Sequence, residues 1–196
     1  KVKATFFALG AAVERHPDLL RTIARAGHEI GTHGFTHRFV YDLTEREFEC
    51  ELRRSLDLLE EVGGVAVQGH RAPFFSITSQ CWWAFEVLAR VGIQYDSSIF
   101  PVHNYRYGIP NAPRFPFTVK ANGASVEEFP ISTLRLGRTN LPFSGGFYLR
   151  FWPYRSLRWA ISRINATGSP VVVYLHPWEL APDHPRIPLP RRISLP

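Results

Sequence analysis

Methionine is absent from all 196 residues, and lysine occurs only as Lys1, Lys3 and Lys120, so arginine carries most of the net charge of +6. The missing methionine creates the expectation that the natural start lies upstream of Lys1. No apolar run approaches the roughly 20 residues that span a bilayer, and no basic, apolar, small-residue leader stands at the start. These residues therefore contain no membrane segment by pattern, and the compartment stays open. Cysteine is limited to Cys50 and Cys81, with no CxxC pairing, which argues against a disulfide framework or a cysteine zinc site. Both fall in helical patterns and read as free, buried thiols. Also missing is any long basic run: the arginines are scattered, which fits a solvated basic surface better than a nucleic-acid-binding face. With 45% hydrophobic residues and no linker-like stretch, the chain reads as one domain over 1–196, with a proline-rich tail from about residue 180.

What is present is alternation. Val2–Leu9 reads as a strand. Pro17 opens a helix with Leu19, Leu20, Ile23 and Ala24 on its apolar face, and Gly27 stops it. The strand His28–Thr32 follows. Thr44 and Glu47 have capping-box spacing ahead of a helix with Phe48, Leu52, Leu56 and Leu59 along one side, ended by Gly63-Gly64. Val65–Gly69 is read as the next strand, Ser79–Arg90 as a third helix and Ile93–Tyr95 as another strand. Such order implies an α/β fold with parallel strands joined by helical crossovers. Phe100–Pro116 has no periodicity and reads as a long ordered excursion, of the sort that often carries function. Beyond it, Val126–Pro130 suggests a strand and Pro153 the start of a helix carrying Leu157, Ile161 and Ile164. Val171–Leu175, apolar at every position, suggests a strand buried on both faces.

His33 and His37 stand four residues apart just after a strand, a spacing at which two imidazoles reach one divalent ion and leave room for water and a further ligand. No carboxylate upstream of them can complete the set; Asp18 lies in the first turn of a helix, where an acid favours the helix dipole. Arg71, Asp96 and His176 also follow predicted strand ends, the edge where parallel α/β folds assemble active sites. Each has a plainer reading: a capping histidine, a strand-end salt bridge for Arg71, and a turn cap for Asp96 before Ser97-Ser98.

Three stretches, Thr32-His33-Gly34-Phe35-Thr36-His37, Gly69-His70-Arg71-Ala72-Pro73-Phe74 and Leu175-His176-Pro177-Trp178, occur in the order of three motifs of the polysaccharide deacetylases of carbohydrate esterase family 4, which the chain resembles. It is most similar to the deacetylases of exosortase-associated (PEP-CTERM) exopolysaccharide loci, sharing Ala4–Phe7, Tyr95–Pro101, Arg106–Pro110 and His176–Glu179. The resemblance implies a distorted (β/α) barrel of about seven parallel strands, here without its first strand. It also implies removal of acetyl groups from N-acetylated polysaccharides or oligosaccharides with a divalent metal ion, usually zinc. His33 and His37 match the two histidine ligands, Arg71 the arginine that orients the aspartate base, and His176 the general acid for the leaving amine. The family's base and third ligand are paired aspartates upstream of Ala4–Phe7, so this chain alone is expected to be inactive. Asp96 and Glu128 compete for the family's acid that tunes the catalytic histidine. Trp178, Phe74 and Tyr148 are candidates for stacking on sugar rings, although core packing explains most aromatics.

Two other functions fit the same residues. The superfamily includes enzymes resembling allantoinases and cyclic-imide hydrolases, and Phe100–Pro116 could build a closed pocket as well as an open groove. A noncatalytic sugar- or metal-binding barrel is the third reading.

Overall fold

The computed structural model describes residues 2–181, and the proline-rich tail of the sequence reading lies almost wholly outside them. The chain divides into two compact units, 1–130 and 131–196.

In the first unit β1 (Thr5–Ala8) leads into α1 (Gly10–Arg15) and α2 (Pro17–Arg25), followed by β2 (Glu29–Thr32), α3 (Glu45–Gly63) and β3 (Gly69–His70). Then come α4 (Ala84–Arg90), β4 (Tyr95–Asp96) and the hairpin of β5 (Phe117–Ala121) and β6 (Ala124–Glu128). The strands form one sheet of six in the order β1-β2-β3-β4-β6-β5. Every pairing is parallel except β5 with β6. This is the α/β class expected, mostly parallel, with five of the six strands running parallel; among the described residues no hydrogen bonding closes the sheet.

The best-specified element is α3. Thr44 Oγ1 accepts from Glu47 N–H at 3.2 Å while the Glu47 carboxylate accepts from Thr44 N–H at 2.8 Å, closing the expected box. At the other end Gly64 adopts φ 65°, the left-handed cap that glycine reaches without a Cβ penalty. Phe48, Leu52, Leu56 and Leu59 are all buried against the sheet core with Ile30, Val67 and Leu88. Burial of each such side chain contributes about 1.5–3 kcal/mol.

Several elements depart from expectation. The turn of helix at Gly10–Arg15 was not legible. Leu19 is 64% exposed, and Leu20 alone on α2 is fully buried. The Val65–Gly69 strand contracts to Gly69–His70 because the Glu60 side chain takes the Val67 N–H at 2.9 Å, outside the ladder. The Ser79–Arg90 helix is instead a 3₁₀ turn over Ser79–Cys81 and then α4, with Trp82 left exposed; the Thr78 hydroxyl caps that turn through Gln80 N–H at 3.3 Å. Ile93–Tyr95 yields only β4. Cys50 is exposed rather than buried; Cys81 is buried, and both are free thiols. Phe100–Pro116 is without helix or strand, as expected, yet anchored by buried Phe100 and Val102.

The second unit holds the hairpin β7 (Thr133–Leu136) with β8 (Thr139–Pro142), α5 (Phe147–Phe151) and α6 (Tyr154–Asn165). The helix after Pro153 matches the reading, with Ile164 and Ala160 buried. Val171–Leu175 does not form the doubly buried strand. Val173 and Leu175 are 41% and 48% exposed, and the segment makes one isolated parallel bridge, Tyr174 with Gly145. That contact requires glycine: a Cβ on Gly145 would lie 2.1 Å from the Tyr174 ring.

No helix among the described residues is long and apolar enough to cross a membrane.

Candidate active site

The first unit gathers its unusual polar residues at the carboxyl edge of the parallel strands, where open α/β sheets form ligand sites. His33 follows β2, Arg71 follows β3, and Asp96 ends β4. The backbone stitches the first two loops together, since Arg71 N–H donates to Thr32 O at 3.0 Å and His33 Nδ1 lies 2.6 Å from Arg71 O. A carbonyl can only accept, so Nδ1 carries the hydrogen and Nε2 of the neutral ring keeps its lone pair. Burial, opposed by that carbonyl and assisted by the neighbouring His37, His70 and Arg71, lowers the His33 pKa to about 3. The ring is thus held neutral with one nitrogen fixed, the state a metal-ligating histidine needs.

The His37 ring lies 5.2 Å from that of His33, centroid to centroid, and edge-on to Phe74 at 4.6 Å. His37, Phe74 and Phe75 have φ of 61°, 56° and 54°. For residues with a Cβ the left-handed region costs on the order of 1 kcal/mol or more each, and such outliers gather at functional sites. Phe74 also stacks on Phe39 at 4.3 Å, so the ring proposed for sugar contact is part of an aromatic patch beside the histidines.

The loop between the histidines is clamped by α3. Glu51 accepts from the N–H groups of Phe35 (3.2 Å) and Thr36 (2.9 Å) and from the Thr36 hydroxyl. Ser55 Oγ donates to Gly34 O at 3.2 Å and meets Thr32 Oγ1 at 2.8 Å. Sequence reasoning missed this pair, although both lie on the helix face adjoining buried Leu52 and Leu56. Arg71 points its guanidinium at Ser97, with Nε 2.9 Å from the carbonyl and Nη2 2.7 Å from Oγ, and lies over the Phe7 ring at 4.5 Å.

Asp96 is fully buried. Its Oδ1 accepts from His70 Nδ1 at 2.6 Å and from Ser98 Oγ at 2.8 Å, and its Oδ2 from Ser98 N–H at 2.9 Å. Burial works to raise its pKa, but His70, Glu128 and Ser98 outweigh that and hold it below the usual value. Glu128, on β6, is equally buried; Ile99 N–H donates to its Oε1 at 2.9 Å. Desolvation first, and the Asp96 charge second, push Glu128 well above the carboxylate range, making it the protonated member of the pair. His70 Nε2 and Glu128 Oε2 are buried without a hydrogen-bond partner. The two carboxyls considered for tuning the catalytic histidine are therefore engaged with His70, Ser98 and Ile99 in the core of their own unit. His70, adjacent to Arg71 in the motif, was the signal for that cluster.

In the second unit His176 begins a 3₁₀ turn over Pro177–Glu179. Its ring stacks on Trp178 at 4.2 Å and 12°, and the Trp178 ring is itself more than half exposed. Tyr148 is partly buried on α5, with its ring edge-on to Phe147 at 5.6 Å.

Among the described residues no three His, Cys, Asp or Glu side chains converge to hold a metal ion. His33 and His37 fit two positions of such a set, because the His33 tautomer is fixed and the His37 ring lies beside it.

A family model described as domain of unknown function DUF3473 matches residues 97–195, just over half of the chain. The chain belongs to the DUF3473 family. Ahead of that match, residues 1–95 match the polysaccharide deacetylase family model, and they carry both the His33–His37 and the Arg71 motifs. This DUF3473 chain is 33% identical over 106 residues to a peptidoglycan deacetylase of Helicobacter pylori, covering 52% of the chain and 33% of the relative. It is 32% identical over 104 residues to a chitooligosaccharide deacetylase of Rhizobium leguminosarum bv. trifolii, covering 53% and 44%. It thus spans less than half the length of these curated relatives. A crystal structure from Mycobacterium smegmatis, of a protein described as a polysaccharide deacetylase, superposes with a TM-score of 0.67 at 28% identity, covering 90% of this chain and 59% of that one.

Proposed function

We propose that the full-length protein is a metal-dependent deacetylase that hydrolyses the acetamido C–N bond of N-acetylated sugars, with an exopolysaccharide as the substrate class. The observation that carries this reading is His33: neutral, its Nδ1–H held by the Arg71 carbonyl, and its Nε2 lone pair available beside His37 at the carboxyl edge of the sheet. The deacetylase relatives, whose own names specify peptidoglycan and chitooligosaccharide, support the glycan substrate.

His33 and His37 would hold a divalent ion, zinc by the chemistry of paired imidazoles. When bound, such an ion polarises the amide carbonyl and makes a water nucleophile available near neutral pH. Arg71, a planar cation that stays charged, would orient the carboxylate base that assists the water. His176 would give its proton to the departing amine, so that acetate and a free amino sugar leave. Trp178, stacked on the His176 ring and largely exposed, would form a wall for a sugar ring.

The test is acetate release by zinc-loaded full-length protein from N-acetylglucosamine oligomers and an N-acetylated exopolysaccharide, with allantoin as the competing substrate. Activity on the glycans, abolished in His33→Ala and reduced at least about 100-fold in His176→Ala, is the expected result. Saturable oligosaccharide binding with no acetate released would instead establish a noncatalytic glycan-binding protein.

A further inference from the structure

We propose that Glu179 is the positioning carboxylate for His176, held in place from behind by Arg150, and that it takes the part which Asp96 or Glu128 would otherwise play. This rests on the reading of His176 as the general acid.

Glu179 Oε2 accepts from the backbone N–H of His176 at 2.8 Å and lies 3.3 Å from its Nδ1. A carboxylate has no proton to offer at working pH, so Nδ1 must present the hydrogen, and Nε2 becomes the nitrogen that faces outward. The contrast in burial supports a built arrangement: the Glu179 side chain is 4% exposed, while that of His176 is 45% exposed. A carboxylate that buried needs partners, and its second oxygen has Arg150 Nε at 3.6 Å. The imidazole is confined in rotation by Trp178, stacked at 4.2 Å, and by the edge of Tyr174 at 6.0 Å. Among the described residues of its unit, the charged and titratable groups facing it are Glu179, Arg150 behind it, and the Tyr174 phenol. Asp96 and Glu128 have their carboxylates committed to His70, Ser98 and Ile99.

The geometry is local, three residues apart, and a plainer role is available: Glu179 also caps the short turn at Pro177. The two roles separate on charge. Glutamine keeps an oxygen for the His176 N–H and so preserves the cap, but it removes the negative charge beside the ring. An aspartate keeps the charge and shortens the reach.

The experiment compares full-length wild type, E179Q and E179D in two measurements. Nitrogen NMR of the His176 ring, which needs no turnover, should show Nδ1 protonated in the neutral wild-type ring and a gain of the Nε2-protonated tautomer in E179Q. In the acetate-release assay, kcat should fall at least about tenfold in E179Q with KM unchanged, and E179D should recover part of the loss. Equal melting temperatures exclude a folding defect. An unchanged tautomer in E179Q overturns the positioning role whether or not acetate is released. A changed tautomer with kcat unchanged in an active enzyme overturns its part in the reaction. Absence of acetate from wild type alongside a changed tautomer counts against the deacetylase reading and leaves the Glu179–His176 pairing established.

Discussion

Replacing Glu128 by glutamine should abolish the pH dependence of stability that this buried group imposes, so that the two proteins exchange rank as pH rises. In the native protein Glu128 is fully buried beside the Asp96 carboxylate, and its pKa stands well above 4.5, its ordinary value. Native protein therefore binds a proton that the unfolded chain releases above that value. The stabilising contribution is complete below the unfolded pKa and is lost as pH rises through the folded one, at up to about 1.4 kcal/mol per pH unit for one proton. Asp96 has the opposite sign: its folded pKa is depressed, so its contribution is present above 3.8 and is lost as pH falls through the folded value. Glutamine preserves the acceptor for Ile99 N–H, which donates to Oε1 at 2.9 Å, but in place of the single carboxyl proton that faces Asp96 it introduces an amide with two hydrogens. One buried donor left unsatisfied costs about 1–3 kcal/mol. Urea unfolding of wild type and E128Q at half-unit steps from pH 4.5 to 8 measures the difference directly. E128Q should be less stable by about 1–3 kcal/mol near pH 4.5 and should overtake wild type within about one to two pH units above that. A difference that does not change with pH would refute the protonated-Glu128 assignment.

Glu51→Ala removes the acceptor for Phe35 and Thr36, so the loop between His33 and His37 loses its clamp; zinc affinity of the full-length protein, by calorimetry, should fall about 10–100-fold with the helix content unchanged. Leu52→Ala opens a cavity at a fully buried position of α3 and should cost about 2–5 kcal/mol, read as a lower urea midpoint at constant slope. Gly69→Ala would place a Cβ 2.1 Å from the Tyr95 ring, across the register that sets Gly69 opposite Tyr95. Overpacking of this kind should destabilise by about 1–3 kcal/mol, with the loss relieved in the Gly69→Ala/Tyr95→Leu double variant.

Elements with a complete local signal were legible. The capping box and four apolar residues on one face located α3 within the sequence alone, and Pro153 marked the start of α6. Asn122-Gly123, both at positive φ in the β5–β6 turn, was a readable hairpin signal that the Val126–Pro130 strand reading left unused. Val171–Leu175 misled because continuous apolarity states only that burial would be favourable; it does not say which surface is there to cover Val173 and Leu175. The site divides in the same way. The His33–His37 spacing pointed to a candidate ligand pair and the order of the three motifs carried the resemblance to the deacetylases, since residue type and spacing are properties of the chain. The same pattern could not assign Asp96, Glu128 or Glu179, because a carboxylate's role depends on the groups around it.

From the sequence alone came the alternation of strand and helix, the two candidate ligands, the arginine and the histidine of the deacetylase motifs. The first two follow from residue type at a fixed separation along the chain, and the last two from the resemblance that the order of the motifs carries. Only the tertiary structure decided that the Arg71 carbonyl, 38 residues on, selects the His33 tautomer, and that Glu51 and Ser55 hold the loop between the histidines. It also decided that Asp96 serves His70 rather than standing open. Protonation, tautomer and orientation are set by distances of about 3 Å between groups distant in sequence, which folding alone brings together.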